Sequence, residues 1–152
     1  MEVKMKDNIE IVTMGPEDLP QIQQLYRELL QEDCPISTLQ ENYQLALEQP
    51  GYFPLAAKKE NLVLGTAVGF ICTAPDAPFL VVENVVVRED CRGMGVGGRI
   101  LEHLDALAVE HGCSYSILVS SGFRKSAHRF YESAGYTDDV RGFRKYYKKI
   151  NC

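Results

Sequence analysis

Residues 79–111 constrain this chain more than any other stretch, because they read as a strand, an arginine-led glycine loop and a long helix in unbroken order. The strand, Phe79 to Val87, is β-branched and apolar except for Glu83 and Asn84. A nearly continuous apolar run of this kind suits a strand covered on both faces. A charged turn, Arg88-Glu89-Asp90, leads to Arg92-Gly93-Met94-Gly95-Val96-Gly97-Gly98. Beyond it, Val96, Ile100, Leu101, Leu104, Leu107 and Ala108 share one face of a helix that stops at Gly112. Backbone N–H groups are freed at the start of such a helix, and glycines let an anion come close to them. Together they predict a phosphate site.

Three kinds of glycine loop compete for that site. Gly93, Gly95 and Gly98 spell the G-x-G-x-x-G of dinucleotide folds. That pattern expects an acidic residue about 20 positions on, at the end of the next strand, to hold a ribose. The next strand, Ser114 to Ser120, has none, and a charged turn separates the first strand from the glycines. No Gly-Lys-Ser/Thr closes a P-loop. A helix start with no ligand is disfavoured, because glycine costs up to about 1 kcal/mol in a helix and this first turn carries several. The remaining pattern is Arg/Gln-x-x-Gly-x-Gly/Ala, met by Arg92, Gly95 and Gly97.

A second block, Ser126 to Tyr136, carries Ala127, Phe130, Tyr131, Gly135 and Tyr136 in the spacing A-x-x-F-Y-x-x-x-G-F/Y. The two blocks, in this order, resemble the GNAT N-acetyltransferase superfamily, and the likeness runs from about Ile9 to the C-terminus. It implies the acyl-CoA N-acyltransferase fold, with acetyl-CoA as cosubstrate and no metal. It implies that the loop formed by Arg92, Gly93, Met94, Gly95, Val96, Gly97 and Gly98 binds the cofactor. The main chain of Val85 and Val87 would pair with its pantetheine arm. Tyr131 matches the tyrosine that gives a proton or hydrogen bond to the departing sulfur; a core tyrosine beside Phe130 is the plainer alternative. Many relatives have Asn where this chain has Arg124, which leaves Arg124 as a candidate for a phosphate contact.

Acetyl transfer from a thioester to an amine needs a neutral amine, a stabilised oxyanion and a proton for the thiolate. Glu83 is the candidate base, a lone carboxylate in an apolar strand whose burial would raise its pKa. A glutamate satisfied by an arginine or capping a bulge is the structural alternative. In a regular strand Asn84 points away from Glu83, so both reach one pocket only across a bulge. A backbone N–H near Val85 would meet the oxyanion. His128 reads as an exposed helix residue. Cys91, beside the loop, reads as a bystander sooner than a nucleophile. The expected acceptor is a small-molecule primary amine, attacking directly in a ternary complex. A protein or peptide acceptor and a non-catalytic acyl-CoA-binding regulator are the alternatives, and Tyr131 argues against the second.

The 152 residues fit one domain, 1–152, and 45% hydrophobic against 24% charged residues excludes a disordered chain. With 16 basic and 21 acidic residues the net charge is −5, a poor footprint for nucleic acid. Five cysteines, Cys34, Cys72, Cys91, Cys113 and Cys152, include no C-x-x-C pair and are expected as reduced thiols in a cytoplasmic protein. No stretch is long enough to cross a membrane, and a homodimer is compatible with the sequence.

Taken in order, the chain predicts a strand at Ile9–Val12 and a helix set up by Gly15-Pro16-Glu17-Asp18, buried along Leu19, Ile22, Leu25, Tyr26 and Leu29. Ser37-Thr38-Leu39-Gln40 looks like a capping box opening a second helix to about Glu48. Strands Phe53–Lys59 and Val63–Thr73 form a hairpin; Gly65 and Gly69 suggest a bulge or close approach in the second. A helix from Lys125 to Ala134 follows the strand Ser114–Ser120, and the alternating tail Arg141–Ile150 reads as a last strand. The expected fold class is α+β in layers: a mixed, mostly antiparallel central sheet with helices on both faces.

Overall fold

The structure, a computed structural model, describes residues 8–30 and 33–148, the side chains of Leu29 and Leu30 apart. One sheet has the order β1 (Glu10–Thr13), β2 (Tyr52–Lys59), β3 (Leu62–Cys72), β4 (Phe79–Val87), β5 (Ser116–Leu118). The first four strands pair antiparallel with their neighbours, and β5 runs parallel to β4. A parallel pair needs a crossover, supplied here by helix α3 (Val96–Glu110). Helices α1 (Leu19–Leu30) and α2 (Ile36–Leu47) precede the hairpin, and α4 (Lys125–Ser133) follows β5.

Each face of the sheet has its own core. Leu55, Leu64, Leu80 and Val82 meet Ile100, Leu101 and Leu104 of α3 on one face. On the other, Ala56, Val63 and Val86 meet Leu19, Ile22 and Leu25 of α1 and Tyr43 of α2. This is the expected mixed, mostly antiparallel sheet with helices on both faces. Gly65 and Gly69 mark close approach: a Cβ on Gly69 would stand 2.7 Å from Leu104 Cδ2, and one on Gly65 3.2 Å from Ile100 Cδ1. Among the described residues no helix is long and apolar enough to cross a membrane.

Four expectations are corrected. Helix α2 starts at Ile36, with no side-chain cap; Pro35 stands before it and its carbonyl accepts the Leu39 N–H at 3.1 Å. Ser37 is therefore already inside the helix and cannot cap it. The reciprocal cap forms earlier, where the Gly15 N–H donates to Asp18 Oδ2 at 2.9 Å, so Pro16–Asp18 is a 3₁₀ turn and α1 begins at Leu19. The tail is not a strand over residues 141–148: β5 offers only three pairing positions, and the tail's cations sit over its own rings. Arg144 lies 5.6 Å from the Tyr146 ring and Lys145 5.8 Å from that of Tyr147. Residues 149–150 of that predicted strand lie outside the described residues. Finally, Cys34 is disulfide-bonded, whereas Cys72, Cys91 and Cys113 are free thiols.

Candidate active site

The site is built where β4 runs past the end of β5. Pairing with β5 covers only Leu80, Val81 and Val82, yet β4 continues to Val87. On its other side, Glu83 stands opposite Val68 and Val86 opposite Thr66, so Asn84 and Val85 together face the single Ala67. This is a β-bulge, and Asn84 takes φ +53°, a left-handed conformation Asn tolerates better than most residues. The extra residue inverts the strand's sides. Leu80 and Val82 point into the α3 core, but beyond the bulge Val85 and Val87 do so, and Val86 joins the opposite core. From Glu83 onward β4 has no partner on its β5 side, a split in the pairing of the sheet.

At the far end of that split lies the glycine loop. Gly93 and Gly95 have φ +79° and +83°, which a side chain would strain, and Gly95 is the residue from which α3 springs. An added Cβ at Gly93, Gly95 or Gly98 would meet nothing within 4 Å, so the backbone there is open on its outer side. The first closing bond is Arg99 N–H to the Gly95 carbonyl, 3.1 Å. The N–H groups before it lie in the turn whose donors have no partner within a helix. Val96 and Gly97 are buried, Met94 is half-buried against the α3 core, and Arg92 is exposed. This open N-terminus of 15-residue α3, beside a free strand edge, fits a diphosphate joined to an extended arm.

Helix α4 closes the site. A Cβ on Gly97 would come within 2.9 Å of Phe130 Cζ, so Phe130 lies directly on the loop. Its neighbour Tyr131, with ring centroids 5.3 Å apart, is half-buried and borders a cavity of about 850 Å³ along β5 and α4. Burial pushes the Tyr131 hydroxyl above the ordinary phenol range; Arg124 opposes the rise and Glu83 adds to it. The charges of Glu83 and Arg124 are thus both felt at Tyr131. The Arg124 guanidinium also lies 5.6 Å from the Phe123 ring.

The remaining candidates fare differently. Glu83 is exposed, against the expected burial, because β5 has already ended beside it. Asn84 turns to the α1/α2 side, where it lines one cavity with Tyr26 and opposes the rise that burial imposes on the Tyr26 hydroxyl. His128 is half-buried, with Nε2 2.9 Å from the Ser121 carbonyl, and so ties α4 to the loop before it. Cys91 is buried; burial raises its thiol pKa and the Asp90 carboxylate, 3.5 Å from Sγ, raises it further, the reverse of an activated nucleophile. The reading from sequence missed the Tyr26–Asn84 pair and the Gly97–Phe130 contact. An asparagine inside an apolar strand was the only local sign of the first, and the second had none.

A family model described as "Acetyltransferase (GNAT) family" matches residues 19–136. Among solved structures, one named "Putative acetyltransferase from Agrobacterium tumefaciens str. C58" is 27% identical with a TM-score of 0.84, covering 90% of this chain and 99% of that one. Glucosamine-6-phosphate N-acetyltransferase from Arabidopsis thaliana is 18% identical, TM-score 0.78, covering 92% and 99%. An aminoglycoside acetyltransferase from an uncultured soil metagenomic sample, in complex with sisomicin, is 18% identical, TM-score 0.80, covering 95% and 98%. The last two share the fold with this chain. No curated protein matches it significantly.

Proposed function

Because the chain belongs to the GNAT acetyltransferase family, we propose that it moves an acetyl group from acetyl-CoA to the primary amine of a small molecule, by direct attack within a ternary complex. Residues 1–152 act as one catalytic domain in this reading. One observation carries it: pairing of β4 with β5 stops at Val82, while β4 runs on to Val87 beside a glycine-opened helix N-terminus. The split gives an extended arm a strand edge, and the loop gives a diphosphate its N–H donors.

Acetyl-CoA, when bound, supplies an acyl group activated as a thioester. The N–H groups at Gly93 to Gly98, with the Arg92 side chain, hold the diphosphate, and Arg124 is the candidate for a further phosphate contact. The main chain of Val85 and Val87 aligns the arm, and the Val85 N–H offers a hydrogen bond to the acyl oxygen. Glu83, directly or through water, takes the proton of the incoming amine. Tyr131, kept neutral by its burial, gives its proton toward the thiol side. The solved neighbours named for glucosamine 6-phosphate and for aminoglycosides support a small amine over a protein acceptor.

Calorimetric titration of CoA tests the assignment. A Cβ at Gly95 would fill the open side of the loop and strain a φ of +83°. A folded Gly95→Val protein should therefore lose CoA binding, and unchanged affinity would end the assignment.

A further inference from the structure

On the face of the sheet away from α3, a cavity of about 260 Å³ opens between α1, α2 and the strands. Small-molecule sites run to roughly 300–1,000 Å³, so this one suits a compact ligand. It meets the site described above at a single point, Asn84 of the bulge. Four aromatic residues wall it, Tyr26, Tyr43, Tyr52 and Phe70, and the Tyr52 and Phe70 rings lie with centroids 5.4 Å apart. Among the described residues, no Asp, Glu, Lys, Arg or His lines it.

Its polar groups are few and concentrated. The Tyr43 hydroxyl donates to the Met14 carbonyl at 2.6 Å, so this residue presents chiefly its ring. Tyr26 and Asn84 both line the cavity and form its polar corner, Asn84 following Glu83 directly in the strand. Burial raises the pKa of Tyr26, and it pushes Tyr52 up to about 12, so the walls carry no phenolate at neutral pH. The charges of Glu17 and Asp18 are felt at Tyr43 although neither lines the cavity, and Asp18 is paired with Lys58 at 2.7 Å.

An uncharged aromatic box with one polar corner discriminates strongly between amines. A polyamine sugar would leave several ammonium groups without carboxylates, and a buried unpaired charge is costly. A sugar phosphate would find no cation to pair with. A single amine on an aromatic body has neither fault, because its ring can pack against the four walls. Resting on the acetyltransferase reading above, we infer that the acceptor is an arylalkyl primary amine, its ring in this cavity and its nitrogen at the Tyr26–Asn84 corner beside Glu83.

The test uses the full chain saturated with CoA, titrated calorimetrically with phenethylamine, sisomicin and glucosamine 6-phosphate. Acetyl transfer to each is followed by mass spectrometry with acetyl-CoA. Phenethylamine should bind most tightly and exceed the others at least tenfold in kcat/KM. Ala46→Phe fills the cavity from α2 and should weaken phenethylamine at least tenfold while CoA affinity holds. Asn42→Trp, on the exposed rim, asks the same question without touching the core. Preference for sisomicin or glucosamine 6-phosphate overturns the inference, as does aryl-amine binding that is absent or indifferent to both variants. CoA binding that fails in the parent protein overturns the acetyltransferase reading and this inference with it. CoA binding without aryl-amine preference overturns the inference alone.

Discussion

Gly97 sits where the cofactor loop and the helix of the candidate acid touch, and Gly97→Ala measures that contact. The new Cβ would stand 2.9 Å from Phe130 Cζ, 3.4 Å from Phe130 Cε2 and 3.5 Å from Val87 Cγ2. Carbon atoms pack best at about 3.5–4.0 Å, so the ring must retreat by roughly 0.6–1.1 Å. Overpacking of this kind costs about 1–3 kcal/mol. Alanine returns up to about 1 kcal/mol of helix propensity, so the variant alone is ambiguous. Gly98→Ala is the control: it gains the same kind of propensity, and its Cβ meets nothing within 4 Å. Subtracting one from the other leaves the contact, about 1–3 kcal/mol. At roughly 2–4 °C per kcal/mol for a domain of this size, that is a gap of about 2–12 °C in Tm. The assay is thermal unfolding of both variants, with Phe130→Leu added to close a double-mutant cycle. Relief of the Gly97→Ala defect by Phe130→Leu locates the cost at the ring. Equal melting of the two alanine variants would refute the packing argument outright.

Three further outcomes follow from the site. Tyr131→Phe keeps the ring packed on Phe130 and removes the hydroxyl, so kcat should fall by about 10²–10⁴-fold with CoA affinity nearly unchanged; near-full turnover on the true acceptor would return Tyr131 to a packing role. Glu83→Gln should lower kcat by about 10²-fold or more and leave both CoA affinity and Tm in place, since Glu83 is exposed; wild-type rates at every pH would exclude it as the base. Tyr26, Tyr52, Tyr131 and Tyr136 all have their pKa raised above phenol's ordinary 10.0, chiefly by burial. A group raised in the folded state lends stability that is whole below its unfolded value and is lost as pH climbs through the folded one. Urea midpoints should thus hold to about pH 10 and decline toward pH 12, and Tyr52→Phe should flatten that decline. A midpoint independent of pH across this window would contradict the burial.

What the sequence made legible was local. The strand Phe79–Val87 followed from an apolar run and has those bounds, and the apolar face from Val96 to Ala108 lies in a helix, Val96–Glu110, that ends just before Gly112. Gly95 was singled out by the Arg92-x-x-Gly95-x-Gly97 pattern alone, and the structure adds that the helix springs from it in a left-handed conformation that favours glycine. Tyr131 was reached through a second sequence block, since half-burial beside Phe130 looks the same for a core ring and for an acid. The tail misled because alternation reports only that charges and rings take turns. It does not say whether a neighbouring strand or the tail's own cations will meet those rings.

The bulge shows why the rest stayed hidden. Counting by twos from Leu80 sends Val82, Asn84 and Val86 to one side of the sheet. One positive φ at Asn84 cancels the count, delivers Val86 to the opposite core and turns the asparagine toward Tyr26. A period-two pattern cannot encode its own interruption, and Asn84 could equally have been an edge residue or a buried polar group. The break lies just past the point where β4 loses β5, and it sets the polar corner of the aromatic cavity on the other side. In the proposed reading, cofactor and acceptor meet at the residue where the strand's regularity fails. Elements whose bounds are written locally form a scaffold, and the proposed chemistry rests on neighbours, Gly97 with Phe130 and Asn84 with Tyr26, that come together only once the sheet has chosen its register.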